Sequence, residues 1–401
     1  MPTPTPGTPS MLRAINDRAA LEALLSRGPL TRPQLSDLTG LSKPTASQLL
    51  ARLEEAGLVV RDGIREGLPG RTAGLYRINP GAAHVAGADV TPARVLARVA
   101  DLTGTVVGEH TLPTPGRSGV DVVARVGAAL DGAAAAAGLT RSRLRRAVIG
   151  IQGAVDPGTG RLGYAAHIPG WHVPGLVGTL TAGLGLPVAI ENDVNLSALA
   201  ELAGGQAAGA GDFVLLWVAD GVGMAVVLNG ALHRGATGGA GEIAYMPAAG
   251  GPRDHDARLA HTGRVQGLTG GAAVLRLMRE HGFRGRDAAT ALTRAAAAAG
   301  ASEKAPDGPA EAALAELAAR LGTTLAAVVA VLDPALIVLT GEVLRAGGEP
   351  LRARVERHLH ALAVPRPAVR LSSLQDNPVL AGALQQALQE TRDEVFSDTT
   401  S

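Results

Sequence analysis

GLSKPTASQLLARLEEAGL, residues 40–58, reads as a turn followed by a capped amphipathic helix. Gly40 supplies the turn, Ser42 an N-cap and Pro44 a first-turn residue, while Leu49, Leu50 and Leu53 recur at helical spacing to form one apolar face. Lys43, Thr45, Ser47, Gln48 and Arg52 are left for the outer face. Upstream, Thr31 as N-cap, Pro33 in the first turn and Leu35 with Leu38 on one side predict a short helix that Gly40 stops. A helix from about Leu12, carrying Leu24 and Leu25, precedes it, and strand-like runs from Leu58 and over Arg71–Ile78 follow as a hairpin with a basic tip. Three helices and a hairpin make a winged helix-turn-helix. In such a unit the second helix of the pair enters a major groove. The expected DNA contacts are Arg32, Ser42, Lys43, Thr45, Ser47, Gln48 and Arg52, with Arg71 at the wing directed to a minor groove.

With 401 residues, 46% of them hydrophobic, the chain is long enough for more than one core. A net charge of +1 assigns DNA affinity to a local basic surface, which Arg32, Lys43, Arg52, Arg61, Arg65, Arg71 and Arg77 would supply. The absence of cysteine excludes disulfides, thiolate zinc sites and cysteine nucleophiles. The Pro- and Thr-rich start lacks the basic and apolar regions of a signal peptide, and Gly, Asp and Pro interrupt the later apolar runs. A cytoplasmic protein without a membrane segment is expected.

After Asn79-Pro80 the pattern changes from helical to strand-rich. Short β runs at 85–90, 94–100 and 105–111 recur in layout at 213–219, 223–228 and 231–233, where Asn229-Gly230 makes a hairpin turn. This is an approximate duplication of a β-meander. Further strands at 147–151, 188–191 and 336–340, with helices between them, predict two α/β lobes enclosing a cleft. The expected domains are a disordered stretch 1–10, the winged helix-turn-helix over 11–80 and a two-lobed domain over 81–401. The last helix, after Asp376-Asn-Pro-Val-Leu-Ala-Gly382, is expected to return against the first lobe or the DNA-binding unit.

Six features, in this order, carry a resemblance to the ROK family of repressors and sugar kinases over essentially the whole chain. They are the winged helix, Gly150-Ile-Gln-Gly-Ala-Val-Asp-Pro-Gly-Thr-Gly160, Pro169-Gly-Trp171, Glu191-Asn-Asp-Val-Asn195, Gly238-Gly-Ala-Gly-Glu-Ile-Ala-Tyr-Met-Pro247 and Leu332-Asp-Pro-Ala-Leu-Ile-Val-Leu-Thr-Gly341. The resemblance implies an actin-like, two-lobed ATPase fold with a sugar-binding cleft. It implies that Asn192, Asp193 and Glu242 hold sugar hydroxyls, with Asp193 at the position of the kinases' catalytic base. Helix capping is the alternative role weighed for Asp193. Tyr245 and Gln266 complete the ligand set implied, standing where the family usually has a zinc-site His and a sugar-binding Glu.

The chain departs from the kinases at both phosphate loops. Asp89-Val-Thr-Pro-Ala-Arg94 replaces Asp-x-Gly-Gly-Thr, and Pro92 has no N–H to offer a phosphate. Ala219-Asp-Gly-Val-Gly223 replaces Gly-Thr-Gly-x-Gly, and Asp220 would oppose a polyphosphate. No catalytic residue and no cofactor are therefore assigned. The family's cysteines are missing too, and His255 and His261, beside Asp254 and Asp256, are read as a solvated loop, so no metal is expected. The reading is a regulator, expected to repress, with a double-stranded DNA operator and a small sugar effector as partners, assembled as a homodimer or homotetramer. An active kinase with an appended DNA-binding domain, and a regulator with a vestigial cleft, are the alternatives.

Overall fold

The computed structural model describes residues 9–65, 73–114, 121–163, 170–248, 264–301 and 308–397. In chain order it contains α1 (Pro9–Arg27), β1 (Leu30–Thr31), α2 (Arg32–Thr39), α3 (Lys43–Glu55), β2 (Val59–Arg65) and β3 (Ala73–Ile78). Then come β4 (His84–Val90), β5 (Arg94–Asp101), β6 (Val106–Pro113), α4 (Val122–Ala136), β7 (Leu144–Ile151), β8 (Ala154–Val155), β9 (Leu162–Gly163), α5 (Leu176–Leu184), β10 (Val188–Asn192) and α6 (Asp193–Gly204). The remainder is β11 (Phe213–Val218), β12 (Val222–Leu228), β13 (Ala231–Leu232), α7 (Val265–Thr269), α8 (Gly271–Glu280), α9 (Ala288–Ala301), α10 (Pro309–Leu332), β14 (Leu336–Thr340), α11 (Glu342–Leu362), β15 (Ala368–Leu371) and α12 (Pro378–Ser397).

The chain divides into two compact units, one of residues 1–149, 177–190 and 383–401, the other of residues 150–176 and 191–382. The first opens with the winged helix. Helix α2 starts on a capping box: Thr31 accepts from the Gln34 N–H while the Gln34 side chain accepts from the Thr31 N–H. It stops at Gly40, whose φ of 69° lies in the left-handed region. Ser42 caps α3, and Ala46, Leu49, Leu50 and Leu53 are buried at the spacing expected of one helix face. The wing strands β2 and β3 pair antiparallel, and β1, which the sequence reading did not separate from α2, adds a third strand in the order β1-β3-β2. Leu21, Leu24, Leu35, Leu49, Leu53, Tyr76 and Ile78 share one core. Leu102, in the turn after β5, and Phe396 from α12 belong to the same core, so the last helix does return to the DNA-binding unit. Helix α1 begins at Pro9, inside the stretch expected to be disordered; residues 1–8 lie outside the described ones.

The two larger sheets run β6-β5-β4-β7-β10 and β13-β12-β11-β14-β15. Both therefore order their strands, by first appearance, as third, second, first, fourth, fifth, which gives the duplicated meander a structural counterpart. Strand β11 pairs antiparallel with β12 and parallel with β14, as a meander followed by helical crossovers requires. One expectation is corrected. Helix α10 is long and apolar enough by composition to cross a membrane, whereas the interruptions by Gly, Asp and Pro led to the expectation of no such run. About half of it is buried, with Leu314, Leu317, Leu321 and Leu325 packed in the core of the second unit.

Candidate functional site

Helix α3 offers Lys43, Thr45 and Gln48 as exposed side chains on one surface, with Ser47 half-buried. Ser42 is occupied as the cap: its Oγ accepts from the Thr45 N–H at 3.3 Å and pairs with the Thr45 hydroxyl at 2.8 Å. Arg32, at the start of α2, donates from Nε and Nη2 to the Tyr76 hydroxyl at 3.2 and 2.9 Å, which fixes its guanidinium beside the wing without neutralising it. Arg52 also has an internal partner. Its Nη2 donates at 2.6 Å to Oδ1 of Asp17, a carboxylate 1% exposed inside the helical core. Burial raises the Asp17 pKa, and the Arg52 hydrogen bond works against that rise. Arg61 and Arg77 are likewise paired, with Glu54 at 2.9 Å and Asp62 at 2.7 Å. Among the described basic side chains of this face, Arg52, Arg61 and Arg77 each have an acidic partner, whereas Lys43 and Arg32 do not. Arg71 lies outside the described residues, and so do His255 and His261.

In the second unit three segments converge. The Asn192 side chain, not Asp193, caps α6: its Oδ1 accepts from the N–H groups of Val194 at 2.9 Å and Asn195 at 3.1 Å. Its Nδ2 donates to the Gly153 carbonyl at 3.0 Å, which leaves one amide hydrogen for a ligand. Asp193 is the first helical residue and accepts from the Val194 N–H at 2.9 Å. The buried Glu191 ties this turn to the third segment, since its Oε2 accepts from Arg234 Nε at 2.6 Å. Arg234 opens a loop that packs back on the first segment, where a Cβ at Gly238 would lie 2.7 Å from the Val155 carbonyl oxygen.

That loop ends at Gly241-Glu242. Gly241 has φ 92° and sits so close to β12 that a Cβ would fall 1.9 Å from the Met224 carbonyl oxygen; only glycine fits. The Glu242 carboxyl makes no hydrogen bond among the described residues, and burial pushes its pKa up to about 7. A half-buried carboxyl without a partner is suited to accept from a ligand hydroxyl. Tyr245 lies one helical turn further, with the Arg264 guanidinium 5.9 Å above its ring and donating to its carbonyl at 2.9 Å.

Gln266 is tied to the 219–223 loop: its Oε1 accepts from the Val222 N–H at 2.9 Å and its Nε2 donates to the Asp220 carbonyl at 2.9 Å, which engages one of its two amide hydrogens. The Gly271 N–H also reaches the Asp220 carbonyl, at 3.2 Å. In the first unit the 89–94 loop is closed by Thr91 and Arg94 around Pro92, and Arg94 pairs with the buried Asp89 at 3.6 Å. Glu191 and Arg234 were not singled out by the sequence reading. Glu191 stood inside a quoted motif, whereas a lone Arg after a β-hairpin gave no signal.

A sequence profile of the ROK family matches residues 85–390, most of the chain. The chain belongs to the ROK family. A MarR family profile matches residues 16–68, within the first helices and wing. The putative xylose repressor of Caldicellulosiruptor sp. (strain Rt8B.4) is 26% identical over 241 residues, and the match spans 60% of either chain. The DNA-binding transcriptional dual regulator NagC of Escherichia coli (strain K12) is 24% identical over 352 residues, 85% of this chain and 83% of NagC. Among solved structures, a ROK family transcriptional regulator that is a homolog of the E. coli MLC protein superposes with a TM-score of 0.73 at 20% identity, over 97% of this chain and 99% of the other. The ROK hexokinase from Thermus thermophilus gives a TM-score of 0.62 at 29% identity, over 77% of this chain and 99% of the enzyme. The architecture is therefore a MarR-like winged helix followed by a ROK domain of the sugar kinases' actin-like fold.

Proposed function

We propose that this ROK protein is a DNA-binding transcriptional regulator, a repressor, whose ROK domain binds a sugar or sugar derivative and does not phosphorylate it. The observation that carries the reading is the pairing, in one chain, of an exposed Lys43, Thr45 and Gln48 face on α3 with a capped ligand turn at Asn192. The names of the xylose repressor and NagC relatives support it. Asn192, Asp193 and Glu242 hold ligand hydroxyls; Tyr245 borders them. On the DNA side Lys43, Thr45, Ser47 and Gln48 read the major groove, Ser42 and Arg32 orient the helix and Arg71 reaches the minor groove. A homodimer or homotetramer presents two such helices to a roughly palindromic operator in the cytoplasm. Ligand binding shifts the population of lobe arrangements and with it the fit of the two helices to DNA.

The decisive experiment selects genomic fragments with the full chain and then measures binding of the selected duplex with and without a panel of monosaccharides, amino sugars and their phosphates. A duplex bound specifically and released by one panel member is expected; no sequence preference would refute the reading. A second reading, a sugar kinase with an appended DNA-binding head, is favoured by the carboxylate of Asp193 and the likeness to the Thermus hexokinase. Pro92 and Asp220 argue against it, and a coupled phosphorylation assay in which turnover disappears in Asp193→Ala would establish it.

A further inference from the structure

We propose that Arg234 is the positioning residue of the ligand turn, setting both the Asn192-Asp193 corner and the loop that presents Glu242. The inference rests on the reading of this turn as the sugar site. Glu191 is the starting point, a carboxylate whose side chain is only 9% exposed. A buried carboxylate is expensive unless it is paired and hydrogen-bonded. Its Oε1 accepts from the Asn192 N–H and from the Asn195 side-chain amide, both at 2.9 Å, and its Oε2 takes the Arg234 Nε. Every bond of Glu191 other than the Arg234 one thus ends in the ligand turn. Where the carboxylate sits decides where the Asn192 backbone sits, and Asn192 in turn fixes the first turn of α6 through its two capping bonds.

Arg234 also acts through its backbone. Its carbonyl accepts from the Ala240 N–H at 3.1 Å and closes the loop that leads to Gly241-Glu242. One residue therefore joins two segments that bear ligand groups, by a charge on one side and a loop closure on the other. An ordinary surface ion pair contributes little, because both partners are already well solvated. Here the anionic partner is in the interior, so removing the cation leaves a buried charge and loosens the donors that converge on it.

The test compares Arg234→Gln, Glu191→Gln and the double variant Glu191→Gln/Arg234→Gln in the full chain by amide hydrogen exchange. In Arg234→Gln, exchange over residues 192–195 should quicken by about tenfold or more, with β11 unchanged as an internal reference. The double variant should return to within about threefold of the wild type, since Glu191→Gln removes the charge that needs a cation and leaves an amide oxygen that still accepts from Asn192 and Asn195. Unchanged exchange in Arg234→Gln, or a double variant as fast as the single one, overturns the proposal. If Arg234→Gln fails to fold and the double variant folds, the proposal stands; if neither folds, it falls. Thermal shifts with D-xylose and N-acetyl-D-glucosamine as probes are read separately. A sugar that shifts the wild type should lose about tenfold in apparent affinity in Arg234→Gln and regain it in the double variant. Failure of both sugars to shift the wild type counts against the sugar-sensing reading, while the exchange result still decides the role of Arg234.

Discussion

Arg52→Ala should unfold the DNA-binding head before it tests any DNA contact. The Arg52 Nη2 lies 2.6 Å from Oδ1 of Asp17, which is 1% exposed beside the core that Ala20, Leu21, Leu49 and Leu53 share. Removing one partner of such a pair leaves an uncompensated buried carboxylate and costs ~3–5 kcal/mol, a large part of a small domain's stability. Because burial already raises the Asp17 pKa above its ordinary 3.8, the folded head holds this proton more tightly than the unfolded chain does. The sign follows: ionising Asp17 costs stability as pH rises, and the Arg52→Ala head should recover as pH falls toward that ordinary value. Asp17→Asn keeps an acceptor for Arg52 and removes the charge, so Arg52→Ala/Asp17→Asn should lie within about 1 kcal/mol of the wild type. Hydrogen exchange of α1 and α3 in the full chain separates this local loss from unfolding of the second unit. Once stability is restored, DNA binding of the double variant isolates any direct contact, because loss of one phosphate contact lowers the salt slope by about 0.9. Unaltered exchange in Arg52→Ala combined with weakened DNA binding would refute the staple and return Arg52 to the recognition surface.

The other expectations concern the C-terminal helix and the ligand loops. Phe396→Ala, which empties a 3%-exposed site in the winged-helix core, should destabilise the head by about 3–5 kcal/mol, measured by exchange of α1 and α3. Gly241→Ala should destabilise the second unit by more than ~2 kcal/mol in urea unfolding, since a methyl group would meet the Met224 carbonyl oxygen at 1.9 Å and φ is positive. Glu242 ionises near 7 in the fold against an ordinary 4.5, so the wild type should lose up to ~3 kcal/mol relative to Glu242→Gln as pH rises across that window; parallel stability curves would show the carboxyl to be solvated. Gln266→Glu should cost about 1–3 kcal/mol at neutral pH and recover in acid, where a protonated carboxyl regains the donor that the Asp220 carbonyl accepts; unfolding midpoints at about pH 5 and 8 measure it.

Local signals carried the head. Its caps, its Gly40 stop and its leucine spacing lie within a few residues of one another, and each acts on the backbone beside it. The repeated meander was legible for the same reason, down to Asn229-Gly230, although no local pattern dictates the shared strand order of the two sheets. What remained hidden was partnership across the chain. The Arg52 ion pair gave no sign because its partner Asp17 is 35 positions away, and Arg234 had no visible role because Glu191 is 43 positions away. Phe396, an aromatic on the last helix, gave no sign that it completes a core begun at Ala20.

Gln266 has a structural role that residue type alone does not reveal. The family resemblance marks it only as a ligand contact. In the fold its two amide ends meet a donor and an acceptor on the same loop, the Val222 N–H and the Asp220 carbonyl, 44 and 46 positions away. A carboxylate offers acceptors only and would set a charge against the Asp220 carbonyl; an amide satisfies both groups. The Gln266 amide therefore suits the backbone it holds. Gln266 thereby holds the loop bearing Asp220 at both the Asp220 carbonyl and the Val222 N–H, so one side chain 46 and 44 positions along the chain from these groups fixes that backbone at two points.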